Sequence, residues 1–160
     1  ELETQREIGT RFSVWFPAAL EPVVSKISFD SNRSKIYENK RVLIIDDEQL
    51  VLDVANTILS HYGLMPISTL SGINGLKILK EESNSIDLLI LDMNMPDING
   101  DEIYREVRAL TKKLPIIISS GFSKELCELN RKEDVNCYFL EKPYGSSKML
   151  KIIEEVFSPK

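Results

Sequence analysis

Residues 91–100 read LDMNMPDING, and the fold is decided there. Asp92 stands directly behind the largely apolar run Ile86–Leu91, and Pro96 and Gly100 then turn the chain toward a helix. A second apolar run, Val42–Ile45, ends in Asp46-Asp47-Glu48 and also leads into a helix. Short, continuous apolar runs of this kind form strands buried on both faces, as in parallel sheets. Two such strands, each ending in carboxylates, place one acidic pocket at the carboxyl edge of a parallel sheet.

Working outward, strand and helix alternate from residue 41 onward. Val51, Val54, Ala55, Ile58, Leu59 and Tyr62 recur at helical spacing, and Gly63 follows where a C-terminal cap belongs. Met65–Thr69 reads as a strand, and Ser71 as the N-cap of a helix burying Ile73, Leu76 and Leu79. Ile103, Val107 and Leu110 mark the helix after Gly100. Pro115 introduces a strand at Ile116–Ser119, and a polar helix around Lys124–Arg131 turns Leu126 and Leu129 inward. Cys137–Leu140 is the fifth strand, and Met149, Ile152, Ile153, Val156 and Phe157 form the apolar face of the last helix. Five strands alternating with five helices predict a doubly wound α/β domain with a five-stranded parallel sheet in the flavodoxin-like order 2-1-3-4-5. Ligands of such sheets sit beyond the strand carboxyl ends, where the acidic residues fall.

Residues 1–40 differ. Thr10–Pro17 alternates, with Phe12, Val14 and Phe16 on one side, and predicts one extra N-terminal strand unable to bury its own face. Residues 18–39, with Pro22, several serines and mixed charge, read as a linker before a domain over 40–158. The net charge of −5 argues against nucleic-acid binding, which needs clustered Lys and Arg. No apolar run approaches the roughly 20 residues that span a bilayer, and the N-terminus lacks the apolar core of a signal peptide. Direct membrane contact is therefore not expected. Cys127 and Cys137 form no C-x-x-C pair, so neither a disulfide framework nor a zinc site is expected; the context reads as reducing and cytoplasmic.

The chemistry follows from the acids. Two carboxylates about 5 Å apart at an effective dielectric near 20 repel by roughly 3 kcal/mol. Asp46, Asp47 and Asp92, brought together, must keep a proton or bind a cation. One strand-end Asp is most simply a helix cap, but a pair with a third across the sheet points to a site. An all-oxygen donor set suits Mg²⁺, with Mn²⁺ as the alternative, and not zinc. Ser120 closes the fourth strand and Lys142 follows the fifth; a hydroxyl and an ammonium aimed at Asp92 suit the oxygens of a phosphoryl group.

Residues 40–158 resemble a receiver domain of two-component signalling. The resemblance is carried by Asp46-Asp47-Glu48, by Asp92 followed by Pro96 and Gly100, by Ser120 before a small residue, and by Lys142-Pro143. It implies a phosphoprotein in which Asp92 accepts a phosphoryl group from a phosphohistidine. Asp47 and Asp92 would hold Mg²⁺ with the backbone carbonyl of Asn94, and Asp46 would act through water. Lys142 would pair with the phosphoryl oxygens, Ser120 would swing in, and Phe139 would be the aromatic switch. A cis Lys142-Pro143 bond is also implied, and Asn94 and Phe122 become the neighbours that govern access of hydrolytic water. The partners implied are a histidine kinase, through its dimerisation domain, and a histidine phosphotransfer protein.

Ile8–Pro17 is similar to the closing strand of a histidine-kinase ATP-binding domain, although Glu7 replaces the first glycine of its Gly-x-Gly-Thr-x-Phe pattern. Residues 1–17 would then be a kinase remnant, and the chain the C-terminal part of a hybrid sensor histidine kinase in a phosphorelay. The remaining ATP-binding motifs are absent, so the only catalysis expected is of its own phosphorylation and dephosphorylation. A stand-alone single-domain response regulator is the alternative. A phosphatase of the haloacid-dehalogenase kind is disfavoured because Asn94 stands where a second Asp belongs. His61, the only histidine, reads as a helix-end residue.

Overall fold

The computed structural model describes residues 1–7, 9–15, 37–82, 85–121 and 134–158. The chain divides into two units, Glu1–Asp30 and Ser31–Lys160. In the first, β1 (Leu2–Gln5) pairs antiparallel with β2 (Gly9–Phe12), from Leu2↔Phe12 to Gln5↔Gly9. The single strand expected at Thr10–Pro17 is thus shorter, ending at Phe12, and has a partner. The polar segment LETQ shows no apolar alternation, so its strand character arises from backbone pairing alone. Glu7 (φ 68°) and Gly9 (φ 133°) supply the left-handed turn. Phe12 and Val14 remain exposed, and Phe16–Asp30 fall outside the described residues.

The second unit contains β3 (Arg41–Ile45), α1 (Gln49–His61), β4 (Met65–Thr69), α2 (Gly72–Glu82), β5 (Leu88–Asp92), α3 (Gly100–Leu110), β6 (Ile116–Ser120), β7 (Cys137–Glu141) and a C-terminal helix (Ser146–Phe157). Its sheet runs β4-β3-β5-β6-β7, all parallel, which is the expected 2-1-3-4-5 order counted from β3. The helix expected around Lys124–Arg131 lies outside the described residues.

Alternate residues of the central strands feed two apolar clusters, one on each face. Val42, Ile44, Leu88, Ile90 and Ile117 pack with α1 and the C-terminal helix; Leu43, Ile45, Leu89, Leu91, Ile116 and Ile118 pack with α2 and α3. α1 ends as its sequence implies. Gly63 adopts φ 81°, its N–H bonds Ser60 O, and the Leu64 N–H reaches back to Leu59 O. Leu59 and Leu64 meet in the core below, completing a Schellman stop.

Three inward assignments need correction. On α2, Ile73 is 62% exposed, and the buried line is Gly72, Gly75, Leu76 and Leu79. A Cβ on Gly75 would lie 2.3 Å from Ile45 Cδ1, so the helix approaches the sheet through glycines that apolar counting passes over. On α1, Val54 is exposed and Leu52 is buried instead. Leu110, the last residue of α3, is exposed where the helix leaves the sheet.

Candidate functional site

Three parallel strands end at one edge, and each delivers a site residue. β3 runs out into Asp46 and Asp47, β5 ends on Asp92, and β7 leads through Glu141 into Lys142. Between β5 and β7, β6 contributes Ser120. The sharp exit from β5 is made by Gly100: its N–H bonds Met93 O, and a Cβ there would lie 2.6 Å from both Asp92 O and Met93 Cα. No larger residue allows the start of α3 to close over the acceptor strand. Asn99 caps α3 by accepting from the Asp101 N–H at 2.8 Å.

One carboxylate oxygen from each of Asp46, Asp47 and Asp92 lies within 4.8 Å of the others. Asp46 and Asp92 are buried, at 2% and 4% exposure, whereas Asp47 faces outward. Asp46 is oriented twice: its N–H bonds Thr69 O at 3.2 Å, and its Oδ1 accepts from the Glu48 N–H at 3.0 Å. Lys142 Nζ lies 2.7 Å from Asp46 Oδ2, 3.4 Å from Asp92 Oδ2 and 3.7 Å from Glu48 Oε1. Its closest partner is therefore Asp46, where the sequence had it aimed at Asp92.

Burial pushes the Asp92 carboxyl above the usual carboxylate range; Lys142 opposes that shift, Asp46 adds to it, and the Asn94 amide opposes it. For Lys142, desolvation works against the charged form, but the bond to Asp46 and the charge of Asp92 outweigh it and raise the ammonium pKa. The pocket thus holds more negative charge than one lysine neutralises. An oxygen-only, partly open donor set of this kind fits a hard divalent cation that keeps some of its waters.

The structure brings Asp46, Asp47, Asp92 and Lys142 together at this edge, with Ser120 at the end of β6 beside them. Ser120 is fully buried, and its carbonyl accepts the Lys142 N–H at 2.8 Å, which ties the two strand ends together. Phe139 is half-buried on β7 opposite Ile118, packed on the α2–α3 side. Lys142-Pro143 is cis, as the resemblance implied. Asn94 is exposed at the rim, and Phe122 lies outside the described residues. His61 ends α1, edge-on to Tyr62.

Two contributors were missed. Glu48 was read only as part of the triplet, yet it reaches Lys142. Asp97 staples the acceptor loop to α2: its Oδ2 accepts from Ser71 Oγ at 2.8 Å and from the Ile73 N–H at 3.2 Å. Burial works against the charged form of Asp97, but the Ser71 bond and the helix amides prevail and hold its carboxyl low. The Asp-x-Asn spacing around Pro96 carries no sign of this contact, which joins residues 26 apart.

Comparison with known proteins gives the same picture. The family profile described as the response regulator receiver domain matches residues 42–154. The sensor kinase CckA of Brucella abortus is 24% identical over 155 residues, an alignment covering 92% of this chain and 16% of the kinase. The response regulator SaeR of Staphylococcus aureus is 33% identical over 84 residues, covering 52% of this chain and 36% of SaeR. The chain thus spans about a sixth to a third of the length of these relatives. Among solved structures, a receiver domain protein from Clostridium thermocellum is 30% identical with a TM-score of 0.66, covering 73% of this chain and 93% of that one. The receiver domain of the hybrid histidine kinase CckA is 27% identical with a TM-score of 0.63, covering 74% and 99%.

Proposed function

The chain belongs to the response regulator receiver domain family of two-component signalling, and from that premise we propose that Asp92 is its phosphoacceptor, loaded from a phosphohistidine with Mg²⁺ bound beside it. The observation that carries this reading is the convergence of Asp46, Asp47 and Asp92 within 4.8 Å, with Lys142 Nζ 3.4 Å from Asp92. A carboxylate oxygen of Asp92 forms a bond to phosphorus as the bond from phosphorus to the donor imidazole nitrogen breaks. Asp47 and Asp92 would hold the cation with the Asn94 backbone carbonyl, and Asp46 would act mainly through water. Mg²⁺ supplies the positive charge that offsets the crowded carboxylates and the incoming phosphoryl oxygens. Lys142 turns from Asp46 toward those oxygens, and Ser120 donates its hydroxyl to one of them. Water later bonds to the phosphorus as the bond to the Asp92 oxygen breaks, which releases inorganic phosphate and returns Asp92 to its carboxylate. Movement of Ser120 leaves room for Phe139 to turn inward, carrying a local charge change to the β7 surface.

The donor is a histidine kinase, through its dimerisation domain, or a histidine phosphotransfer protein. An apolar groove of about 370 Å³ favours docking of a protein at this edge: Leu50, Val51 and Val54 of α1 face Pro143 and Tyr144, between Glu48 and Lys142. Leu50 is 76% exposed beside the pocket, where a partner would cover it. The chain is read as part of a cytoplasmic hybrid sensor kinase. The supporting observation is that its alignment with a sensor kinase covers 92% of its residues, more than the receiver portion alone accounts for. Residues 1–17 are then the remnant of the kinase ATP-binding domain and 18–39 the linker. No described helix is long and apolar enough to cross a membrane.

Beryllofluoride, which mimics a phosphoryl group on aspartate, tests the assignment. With Mg²⁺ it is expected to bind the wild type and not Asp92→Asn. Equal binding by both, or none by the wild type, would overturn it.

A further inference from the structure

In the phosphoacceptor reading, the loop over residues 93–99 presents the Asn94 backbone carbonyl to the cation, although Asn94 itself is exposed at the rim. The loop is held from both sides. At its start, the Met93 N–H bonds Ser119 O at 3.3 Å, which keeps that end on the sheet. Beyond Asn94 it is fastened to the first turn of α2. Asp97 Oδ2 accepts from Ser71 Oγ at 2.8 Å and from the Ile73 N–H at 3.2 Å. Met95 and Ile98 pack so closely on Gly72 that a methyl group there would collide with both side chains.

The fastening continues past α2. Ser71 Oγ also accepts the Asn74 N–H at 3.2 Å, and the Ser71 N–H bonds Thr69 Oγ1 at 3.2 Å. Asn74 Nδ2 reaches the same Thr69 oxygen at 3.2 Å. Thr69 is buried at the end of β4, and its carbonyl accepts the Asp46 N–H at 3.2 Å. A path of hydrogen bonds thus runs from Asp97 through Ser71 and Thr69 to the backbone of Asp46. It links the acceptor loop to the end of β3 by a route that passes through neither Asp92 nor Lys142. An ionised carboxylate on a hydroxyl and a helix amide makes charge-assisted bonds, roughly twice as strong as neutral ones. A carbonyl on a loop anchored in this way loses less freedom on binding an ion, so its affinity is higher.

We propose that Asp97 is a positioning residue for the cation of the phosphoacceptor site: by clamping the loop to the start of α2, it holds the Asn94 carbonyl ready for the ion that Asp47 and Asp92 would share. This rests on the phosphoacceptor reading and adds to it what sets the affinity for the ion. Asp97 acts through Asn94 and touches no reacting atom.

The test uses the whole chain, with Mg²⁺ affinity measured by calorimetry and beryllofluoride binding followed by fluorine NMR. Asp97→Ala removes the charge and both hydrogen bonds, whereas Asp97→Asn removes the charge and keeps an oxygen that can accept from Ser71. Mg²⁺ binding is expected to weaken about 5- to 10-fold in Asp97→Ala, the worth of one hydrogen bond, and only about 2-fold in Asp97→Asn. At saturating Mg²⁺ both variants should bind beryllofluoride as the wild type does, because the bound ion then holds the loop in place of Asp97. Unchanged Mg²⁺ affinity in Asp97→Ala would overturn the proposal. Equal losses in the two variants would do the same, since they would reduce the effect to the pull of a distant negative charge on the ion. Beryllofluoride binding that stays weak at saturating Mg²⁺ would also overturn it. A wild type that binds neither Mg²⁺ nor beryllofluoride would remove the phosphoacceptor reading as well, which no result from the variants can do.

Discussion

The balance of charge between Asp92, Asp46 and Lys142 makes opposite demands on stability and function. Burial holds the Asp92 carboxyl above its ordinary range, so the folded chain binds that proton more tightly than the unfolded chain. The stability linked to this proton is present below the ordinary carboxyl pKa and is lost as pH rises through the raised, folded value. Near pH 7 the ionised group is a net cost. Asp92→Asn is therefore expected to raise the melting temperature of the Mg²⁺-free protein by about 4 °C, what roughly 1 kcal/mol is worth in a domain of this size. Thermal scans should show the gap closing as the pH falls toward the carboxyl range, where the wild type becomes neutral as well. Lys142→Ala has the opposite sign. It leaves two carboxylates that are almost fully buried facing one another without a cation, and should cost about 1–3 kcal/mol at neutral pH. Since Mg²⁺ replaces the missing charge, its addition should stabilise Lys142→Ala by more than it stabilises the wild type in the same scans.

At the scale of elements, glycines decide how closely helices approach the acceptor strand. A methyl group on Gly100 meets only backbone, Asp92 O and Met93 Cα at 2.6 Å, and no side-chain rotation relieves it. Gly100→Ala is expected to lose about 1–3 kcal/mol by chemical denaturation and to weaken beryllofluoride binding, because the Asp92 backbone must shift. A methyl group on Gly75 meets the tip of the Ile45 side chain and also its Cγ1 at 2.8 Å, and Ile45 is fully buried and branched at Cβ, so it has little room to turn aside. The better helix propensity of alanine, about 1 kcal/mol, offsets only part of the overpacking cost of about 1–3 kcal/mol, and Gly75→Ala is expected to be destabilised by about 1 kcal/mol in the same denaturation experiment. Sequence reading located these elements well, because their period and their stops are local. Gly63, Ser71 and the apolar runs carried their own signals. It erred on Ile73, Val54 and Leu110 because apolar spacing identifies a face without saying how far round the helix the sheet reaches. The partner strand Leu2–Gln5 escaped notice for a related reason: an exposed ladder needs no apolar pattern.

For the molecule as a whole, the second unit has a complete sheet and two cores of its own. A chain cut to residues 31–160 should melt at the same temperature as this unit does in the full chain and bind beryllofluoride equally well. A cut at residue 41 should not. The Tyr37 ring packs at a 37° tilt against Phe157 of the C-terminal helix, with centroids 5.5 Å apart, and Lys40 bonds Asp87 at 2.8 Å. Losing the aromatic contact and its buried area should cost about 1–2 kcal/mol, read from the denaturation midpoints of the two shortened chains. The segment before β3 is thus fastened to the last helix, at the end of the sheet remote from the acidic pocket.

The order of strands, the carboxylates at their ends, and the set Asp46, Asp47, Asp92, Ser120 and Lys142 were legible in the amino-acid sequence, because apolar runs and the residues that terminate them are neighbours along the chain. Contacts between residues distant in sequence were decided only on folding. Among them are the preference of Lys142 for Asp46 and the staple from Asp97 to Ser71. Spacing fixes which strand end a side chain occupies; its nearest partner depends on distances of a few ångströms between separate elements, which only packing sets.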